Sequence, residues 1–341
     1  MNGPEAVIDA SWAPAALLPA AWTLLLGWAL FAVLRRFYDP VPRRVVAIFA
    51  TLVFLLFAPV LVGGMVLLPL GNLPGFAPFH GLPLPERETH ALQGDLVHQI
   101  TPWQAQVRRA YDAGRWPLWN EGAGLGMPLM ADPQSQVFQP LVVAGYPLPL
   151  SAALGVTGAL RILVALVGMF LLLRRQGLGE PSAVFGSVAY GLGGGLMLWL
   201  GWPIASSVAW TPMALYGVAR CHRVGGRRDV ALLAATMVAL LLGGHPETVV
   251  QSCGFIALFA CGCAWERRRA GAPIPPFVLR FCGAIALAGL LVAPVLLLEQ
   301  RYLPRTDRAA ALGWFLAPPS LRDFFAALRE LPVLREWERR V

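Results

Sequence analysis

The chain has 341 residues, of which 57% are hydrophobic and only 13% are charged, and its mean hydropathy is +0.61. Because a soluble domain carries about 25% charged residues, this composition excludes an ordinary soluble protein and predicts a polytopic membrane protein. The net charge of +8 would indicate nucleic-acid binding in a soluble chain, but here every Lys or Arg position is Arg and most lie between apolar runs. Such arginines set membrane orientation, so we expect no nucleic-acid partner.

Eight apolar runs approach the length of about 20 residues that a helix needs to cross a bilayer. They cover residues 13–34, 45–70, 152–173, 182–200, 203–219, 230–245, 248–265 and 277–298. The first run does not have the form of a cleavable signal peptide, since its leading flank is acidic and two arginines follow it directly. The predicted fold class is an all-α polytopic membrane protein with about eight transmembrane helices.

Arginines concentrate in alternate connections between these runs. They are Arg35, Arg36, Arg43, Arg44, Arg174, Arg175, Arg220, Arg223, Arg227, Arg228, Arg267, Arg268, Arg269 and Arg280. By the positive-inside rule these connections face the cytoplasm, which puts the N-terminus outside. Residues 71–151, 201–203, 243–247 and the start of 299–308 then share the outer face, which indicates one extracytoplasmic site.

The chain is accordingly divided into four parts. They are two N-terminal transmembrane helices (1–70), a large extracytoplasmic loop (71–151), a six-helix bundle (152–298) and an Arg-rich C-terminal segment (299–341). Within the loop, apolar residues recur at three- and four-residue steps from about residue 92 to 113, which predicts an amphipathic helix lying in the membrane interface. The later stretch VFQPLVVAGYPLPL is interpreted as a short re-entrant or interfacial piece.

Asp95 begins the predicted amphipathic helix and has two interpretations. One is an N-cap, which Asp serves well, and the other is a catalytic carboxylate just above the membrane; both can hold. His98 lies three residues further along the same helical face. It is a candidate to orient Asp95 or to touch a ligand, or it is an interfacial histidine.

The stretch AGRWPLWNEGAGLGMPLMADPQ, residues 113–134, is unusually polar and aromatic for this chain. Its GAGLG does not indicate a nucleotide site, because no strand precedes it, no helix opens at its end, and the predicted side lacks ATP. The tryptophans fit either an interfacial aromatic belt or a platform for a sugar ring or isoprenoid chain: Trp103, Trp116 and Trp119. The polar candidates to bind sugar hydroxyls, which equally suit turns, are Asn120, Asp132 and Gln134.

Three further polar residues lie in or beside the apolar runs. Arg161 is about 12 residues from the cytoplasmic end of its run, roughly 18 Å into the bilayer at 1.5 Å per residue. A charge there faces the bundle interior or a wet cavity, so Arg161 either binds a lipid phosphate or partners another polar group. His245 and Glu247, in the turn GGHPE, are too few for a metal site without a third ligand, and the five cysteines form no CxxC pair.

Several of these stretches resemble one family. The segment GDLVHQITPWQAQVRRAYDAGRWPLWNEGAGLGMPLMADPQSQVFQPL is similar to the first large external loop of the YfhO-type bacterial membrane proteins. The stretches GMFLLLRRQGLGEPSAVFGSVAYGLGGGLM and LLLGGHPETVVQ resemble later parts of the same family, in the same order. The resemblance covers residues from about 90 to 305.

That family belongs with the GT-C glycosyltransferases of the bacterial cytoplasmic membrane. The resemblance implies transfer of a sugar from a polyprenyl-phosphate donor to a cell-envelope glycan or lipid acceptor on the outer face. It implies Asp95 as catalytic base or metal-site acid, with a divalent metal left open as cofactor. The lipid phosphate would be held by Arg108, Arg109 or Arg161, and the sugar by Trp116, Trp119 and Asn120, with His98, Asp132, Gln134, His245 and Glu247 as further substrate-binding candidates.

Two departures from the family leave alternatives open. An extra N-terminal span precedes the usual first loop, and the chain stops at Val341 where relatives continue, which suggests a fragment, a frameshifted product or a short variant. One alternative function is a transporter or flippase of lipid-linked sugars, although inverted repeats are not visible in the sequence. The other is an inactive membrane partner.

Overall fold

The computed structural model describes residues 13–75, 79–80, 93–223 and 225–306. These residues are mostly helical and contain almost no strand, which confirms the all-α fold class. The helices are α1 (Ala13–Phe37), α2 (Arg43–Leu61), α3 (Thr101–Asp112), α4 (Pro140–Val143), α5 (Leu150–Arg175), α6 (Glu180–Gly191), α7 (Gly194–Leu198), α8 (Pro203–Arg223), α9 (Arg227–Leu241), α10 (Pro246–Arg269) and α11 (Pro275–Tyr302). A two-stranded hairpin, β1 (Trp119–Asn120) and β2 (Met127–Pro128), lies in the predicted loop.

Each of the eight predicted runs contains a helix, and six stretches of the described chain are long and apolar enough to cross a membrane. They are α1, α2, α5, α10, α11 and the pair α6–α7. The other two runs correspond to α8 and α9. Helix α9 has only 15 residues, and α8 has 21 but includes serines, a threonine and a basic end that lower its hydropathy. The chain is therefore a multi-pass, all-α membrane protein.

The helices in two of the predicted runs do not extend over the whole apolar run. Helix α2 stops at Leu61, well before residue 70, because Pro59 lies in its last turn and Gly64 adopts a φ of +70° that ends the helix. The run 182–200 is broken between α6 and α7 at the GLGGG motif. Gly191, where α6 ends, packs so closely on α5 that an added Cβ would lie 2.8 Å from Leu166 Cδ2, so this motif serves both close packing and the break.

Helix α5 is the central element of the bundle. Some 89% of its apolar window is buried, against 28% or less in the other five candidate spans. It packs against α1, α2, α6 and α8. Close approach to α8 depends on Gly168, since a Cβ there would lie 2.8 Å from Met213 N. Such small residues let helix backbones come together in a bilayer, where the hydrophobic effect between helices is weak.

The Arg-rich connections meet at one end of the bundle, as the alternating pattern predicts. Arg220 Nε lies 2.5 Å from Asp229 Oδ1, and Arg220 Nη1 lies 3.0 Å from Asp39 Oδ1. Asp39 is also 3.5 Å from Arg175 Nη1 and accepts a 2.7 Å hydrogen bond from the Tyr216 hydroxyl. Four elements, the α1–α2 connection, α5, α8 and α9, are thus tied together at this basic end.

The chain divides within α11 into two compact units, residues 1–294 and 295–341. The second unit is described over residues 295–306, the last two turns of α11 and a 3-10 turn, Leu303–Arg305. Asp95, Arg161 and the other predicted site residues all belong to the first unit.

Candidate functional site

The chain re-enters the helix bundle between the hairpin and α5. Gln139 caps the short helix α4, its Oε1 accepting hydrogen bonds from Leu141 N at 2.7 Å and Val142 N at 3.1 Å. The carbonyl of Leu141 in turn accepts a hydrogen bond from Thr157, which lies about 10 Å inside α5 at 1.5 Å per residue. This stretch thus packs against α5, with Leu141 and Val142 buried. We call residues 132–148 the re-entrant segment. The end of the bundle at which this segment enters is called the loop end.

Arg161 lies at the deepest point of contact with this segment. Its guanidinium donates to Gln136 Oε1 at 3.1 Å, to Ser206 Oγ at 3.0 Å and to the carbonyl of Leu200 at 2.6 Å. The Gln136 amide then donates to Ser206 Oγ at 3.0 Å and to the carbonyl of Gly243 at 2.7 Å. This polar cluster joins the re-entrant segment to α5, to α8 and to the turn before α10.

The charge of Arg161 is not neutralised by a carboxylate in the described part of the chain. The residue is 2% exposed, and each of its three hydrogen-bond acceptors is a neutral oxygen. A buried cation normally has a counter-charge, because removing it from water is costly. The sequence prediction that Arg161 faces the bundle interior is confirmed. Its five N–H donors and its net charge suit it to hold an anion.

A small cavity lies between Arg161 and the predicted outer loop. It is lined by Arg161 and Thr157 of α5, by Leu96, Ile100 and Gln104, and by residues of neighbouring turns. Its volume is about 10 Å³, which corresponds to one water molecule. In this conformation the guanidinium is therefore closed off from any larger anion. A phosphate could reach it only if Leu96 and Ile100, which form the wall of the cavity on the loop side, moved.

That wall begins next to Asp95. The residue is exposed and has helical angles, φ −61° and ψ −24°, and its side chain makes no capping hydrogen bond. The N-cap interpretation of Asp95 is therefore wrong, because the helical turn already includes it. A π-helical turn, Leu96–Ile100, follows directly and leads into α3. Such turns are rare and frequently occur at functional sites.

The π-helical turn is fixed against the turn between α7 and α8. Gln93 Nε2 donates to the carbonyl of Leu198 at 2.9 Å. Leu96 packs on Gly201, where an added Cβ would lie 2.7 Å from Leu96 Cδ1. The Leu96 side chain thus fills the space that a larger residue at position 201 would take. The half-buried His98 lies within this turn.

The two arginines of α3 have different surroundings. Arg108 donates to the carbonyls of Leu148 at 2.6 Å and Gly145 at 3.0 Å and lies 5.1 Å from the Tyr146 ring, so it clamps α3 onto the re-entrant segment. Burial lowers the pKa of Arg108, while Tyr146 and Asp112 act in the opposite direction. Arg109 is exposed. Of the two, Arg109 is the one free to approach a phosphate from solvent.

Two of the three predicted platform tryptophans lie exposed at or just before the hairpin. Trp116 is 66% exposed and Trp119 is 54% exposed. The Trp119 indole lies against Gly126, whose φ is +102°, and an added Cβ there would lie 2.3 Å from Trp119 Nε1. Trp103, in contrast, is half-buried and packs against the small core of Val107, Leu129 and Val137.

The other polar candidates of this region hold turns. Asn120 is buried and its Oδ1 accepts a 3.0 Å hydrogen bond from Gly122 N. Asp132 caps the 3-10 turn Pro133–Ser135, its Oδ1 accepting from Gln134 N at 2.9 Å, and Gln134 itself is buried. The structure thus shows the turn-forming alternative for Asn120 and Asp132.

His245 caps α10. Its Nδ1 accepts from the Thr248 backbone N–H at 3.3 Å, and Glu247 Oε2 lies 3.4 Å from the same nitrogen. Among the residues that the structure describes, no group of three His, Cys, Asp or Glu side chains is placed to hold a metal ion. The link between this turn and Arg161 runs through the carbonyl of Gly243.

Gln136 is the residue that sequence reasoning missed. It has a left-handed backbone, φ 53° and ψ 36°, the one positive φ outside glycine in the described chain. Such angles are uncommon for a residue with a side chain and often accompany function. Its partners lie 25, 70 and 107 residues away, so no local pattern could have indicated them.

No known protein family, curated protein or solved structure matches this chain.

Proposed function

We propose that this chain is a membrane glycosyltransferase that moves a sugar from a polyprenyl-phosphate-linked donor to a cell-envelope acceptor at the outer face of a bacterial cytoplasmic membrane. The observation that carries the proposal is the buried Arg161, whose positive charge meets only neutral oxygens in the described chain and which faces a cavity lined by Leu96, the residue that follows the exposed Asp95. The resemblance to YfhO-type proteins supplies the reaction class.

The proposed reaction assigns two roles. Asp95 accepts the proton of the acceptor hydroxyl as that oxygen bonds to the anomeric carbon of the sugar. The bond between that carbon and the phosphate oxygen breaks, and the polyprenyl phosphate leaves with the extra negative charge. Arg161 stabilises this charge, as a preorganised cation in a low-dielectric site does, and the exposed Arg109 is the arginine that meets it from the aqueous side.

The closed cavity adds a requirement to the mechanism. Because its volume of about 10 Å³ excludes a phosphate, the π-helical turn must move away from α5 before Arg161 can bind one. The proposed enzyme therefore alternates between the closed form and an open one, with Leu96 and Ile100 as the displaced wall. Loops and turns that close over a site commonly move in this way.

The direct test replaces Asp95 by Asn, which keeps the shape and removes the base. In cells deleted for this gene and complemented with the variant, we expect the sugar content of the envelope polymer to fall by about 100-fold or more. Asp112→Asn is the matched control, since Asp112 is exposed at the other end of α3. Membrane levels are compared by immunoblot of a tagged chain.

The outcomes separate the candidate functions. If Asp95→Asn supports wild-type decoration at a wild-type membrane level, Asp95 is not the base. If purified protein in vesicles moves a lipid-linked sugar between leaflets without transferring it, the transporter alternative replaces the enzyme. If neither activity occurs and cells lacking the chain keep normal glycans, the chain is a non-catalytic partner.

A further inference from the structure

A second cavity lies on the side of the bundle away from Arg161. It is a cleft of about 480 Å³ between α6, α8 and α10, within the size range of small-molecule sites. Arg161 bonds to Ser206 of α8, whereas the cleft is lined by Val208 and Thr211 of the same helix. The cleft therefore belongs to a different face of α8 from the candidate site.

The lining changes from polar to apolar along the cleft. On α10 it follows one helical face, with Thr248, Gln251 and Ser252 near the loop end and then Phe255 and Phe259. From Thr248 to Phe259 the face runs about 16 Å at 1.5 Å per residue. A ligand with a polar head and a hydrocarbon tail fits this gradient, with its head toward the loop end.

The α8 side repeats the gradient. Thr211 Oγ1 lies 3.0 Å from Ser252 Oγ, so two hydroxyls meet across the cleft, and Leu215 lies one turn deeper. On the third side, the Tyr190 hydroxyl donates to the carbonyl of Val208 at 2.7 Å and fixes α6 against α8. The cleft is thus built from three helices that are bonded to one another.

The surface around the cleft identifies what enters it. Neighbouring residues of α10 are apolar and widely exposed: Val250 is 71%, Phe255 65% and Leu258 70% exposed. In a membrane-spanning helix such a surface faces lipid, and the cleft opens on it. None of the lining residues that the structure describes carries a charge, so the polar end of the cleft offers the Gln251 amide to neutral oxygens and no cation to a phosphate monoester.

We propose that this cleft is a binding site for one diacyl phospholipid of the bilayer. Its glycerol ester region lies at Thr248 and Gln251, where the Gln251 amide donates to an ester carbonyl. One acyl chain runs down the cleft along Phe255 and Phe259. This site is independent of the proposed glycosyl transfer, because it uses the opposite face of α8.

The test is native mass spectrometry of the full chain, reconstituted in phosphatidylethanolamine vesicles and released in mild detergent. We expect one retained phosphatidylethanolamine per wild-type chain. Gln251→Trp fills the polar end of the cleft and should lower retention about tenfold. Its matched control, Val250→Trp, places the same bulk one residue away on the lipid-facing surface and should retain the lipid.

A second pair guards against misfolding of the tryptophan variant. Phe255→Ala removes one wall of the part of the cleft that holds the acyl chain, so this variant should also retain less lipid. Leu258→Ala, at a similarly exposed position on the same helix, should retain as much lipid as the wild type. Equal retention by all five proteins would show that the lipid is only peripheral and would overturn the proposal. So would a wild-type chain that retains no lipid, or one that retains only a polyprenyl lipid from the host.

Discussion

Replacing Gln136 by Leu is the sharpest test of the polar cluster, because this one side chain joins three parts of the bundle. The change removes the acceptor of Arg161 Nη2 and the donor to both Ser206 Oγ and the carbonyl of Gly243. Leu keeps a similar volume and the same left-handed backbone, so the packing and the backbone strain change little. The loss of hydrogen bonds is then the dominant effect.

The size of the effect follows from the kinds of bond. Hydrogen bonds between neutral groups in a membrane bundle average about 0.6 kcal/mol, while those to a charged group contribute about 1.5–3 kcal/mol. Two neutral bonds and the charge-assisted one to Arg161 give a loss of about 3–4 kcal/mol in the free energy of unfolding. Gln136→Gly loses the same bonds but relieves the left-handed strain at φ 53°, so it should be more stable than Gln136→Ala by about 1 kcal/mol.

The assay is reversible unfolding of the purified chain in mixed micelles of increasing sodium dodecyl sulfate. Gln99→Leu, at an exposed position of the π-helical turn, is the matched control and should unfold like the wild type. A Gln136→Leu protein within about 0.5 kcal/mol of wild type would refute the argument that this cluster holds the re-entrant segment in place. The reverse order of the Gly and Ala variants would refute the strain argument alone.

Three further predictions use other parts of the structure. Gly126→Ala should disrupt the hairpin by about 1–3 kcal/mol, since its φ is +102° and Trp119 occupies the space of a Cβ, while Gly124→Ala, with open space around it, should cost less; hydrogen exchange of residues 116–130 measures both. Asp229→Asn should destabilise the basic end by about 1.5–3 kcal/mol, because Arg220 loses one of its two carboxylate partners and keeps Asp39, whereas Glu121→Gln at an exposed position should not, as detergent unfolding would show. Burial raises the pKa of the Tyr146 phenol above its ordinary 10, so its contribution to stability is complete below pH 10 and is lost as pH rises beyond it; Tyr146→Phe should flatten this alkaline loss, and an unchanged profile would contradict the assignment.

The helices were predictable because their signal is local. Apolar run length located every span. The three- and four-residue spacing of apolar residues around Leu96, Ile100 and Val107 correctly indicated an amphipathic helix, and these three side chains are buried. The π-helical turn inside that helix was not predicted, because the same spacing suits an α-helix. The end of α2 was misplaced because the apolar run continues past Gly64, where the backbone turns away.

The site was predictable only where a single residue carried the signal. Arg161 stood out because a charge so deep in an apolar run must face the protein. Its partners did not, since a glutamine in a loop and a serine in a helix are ordinary residues until folding brings them together. Arg108 was one of three arginines expected to hold the phosphate, and in the structure two of its nitrogens donate to carbonyls that its sequence position could not reveal.

The order in which the chain is made gives Arg161 a consequence for biogenesis. Its acceptor Gln136 is synthesised before it, but Ser206 follows 45 residues later, roughly 2–9 seconds at about 5–20 residues per second. During that interval α5 carries an arginine into the membrane with an insertion cost of about 2.5–3.5 kcal/mol and one of its three acceptors in place. We expect α5 to remain beside the translocon until α8 arrives, so that the two helices enter the bilayer as a pair.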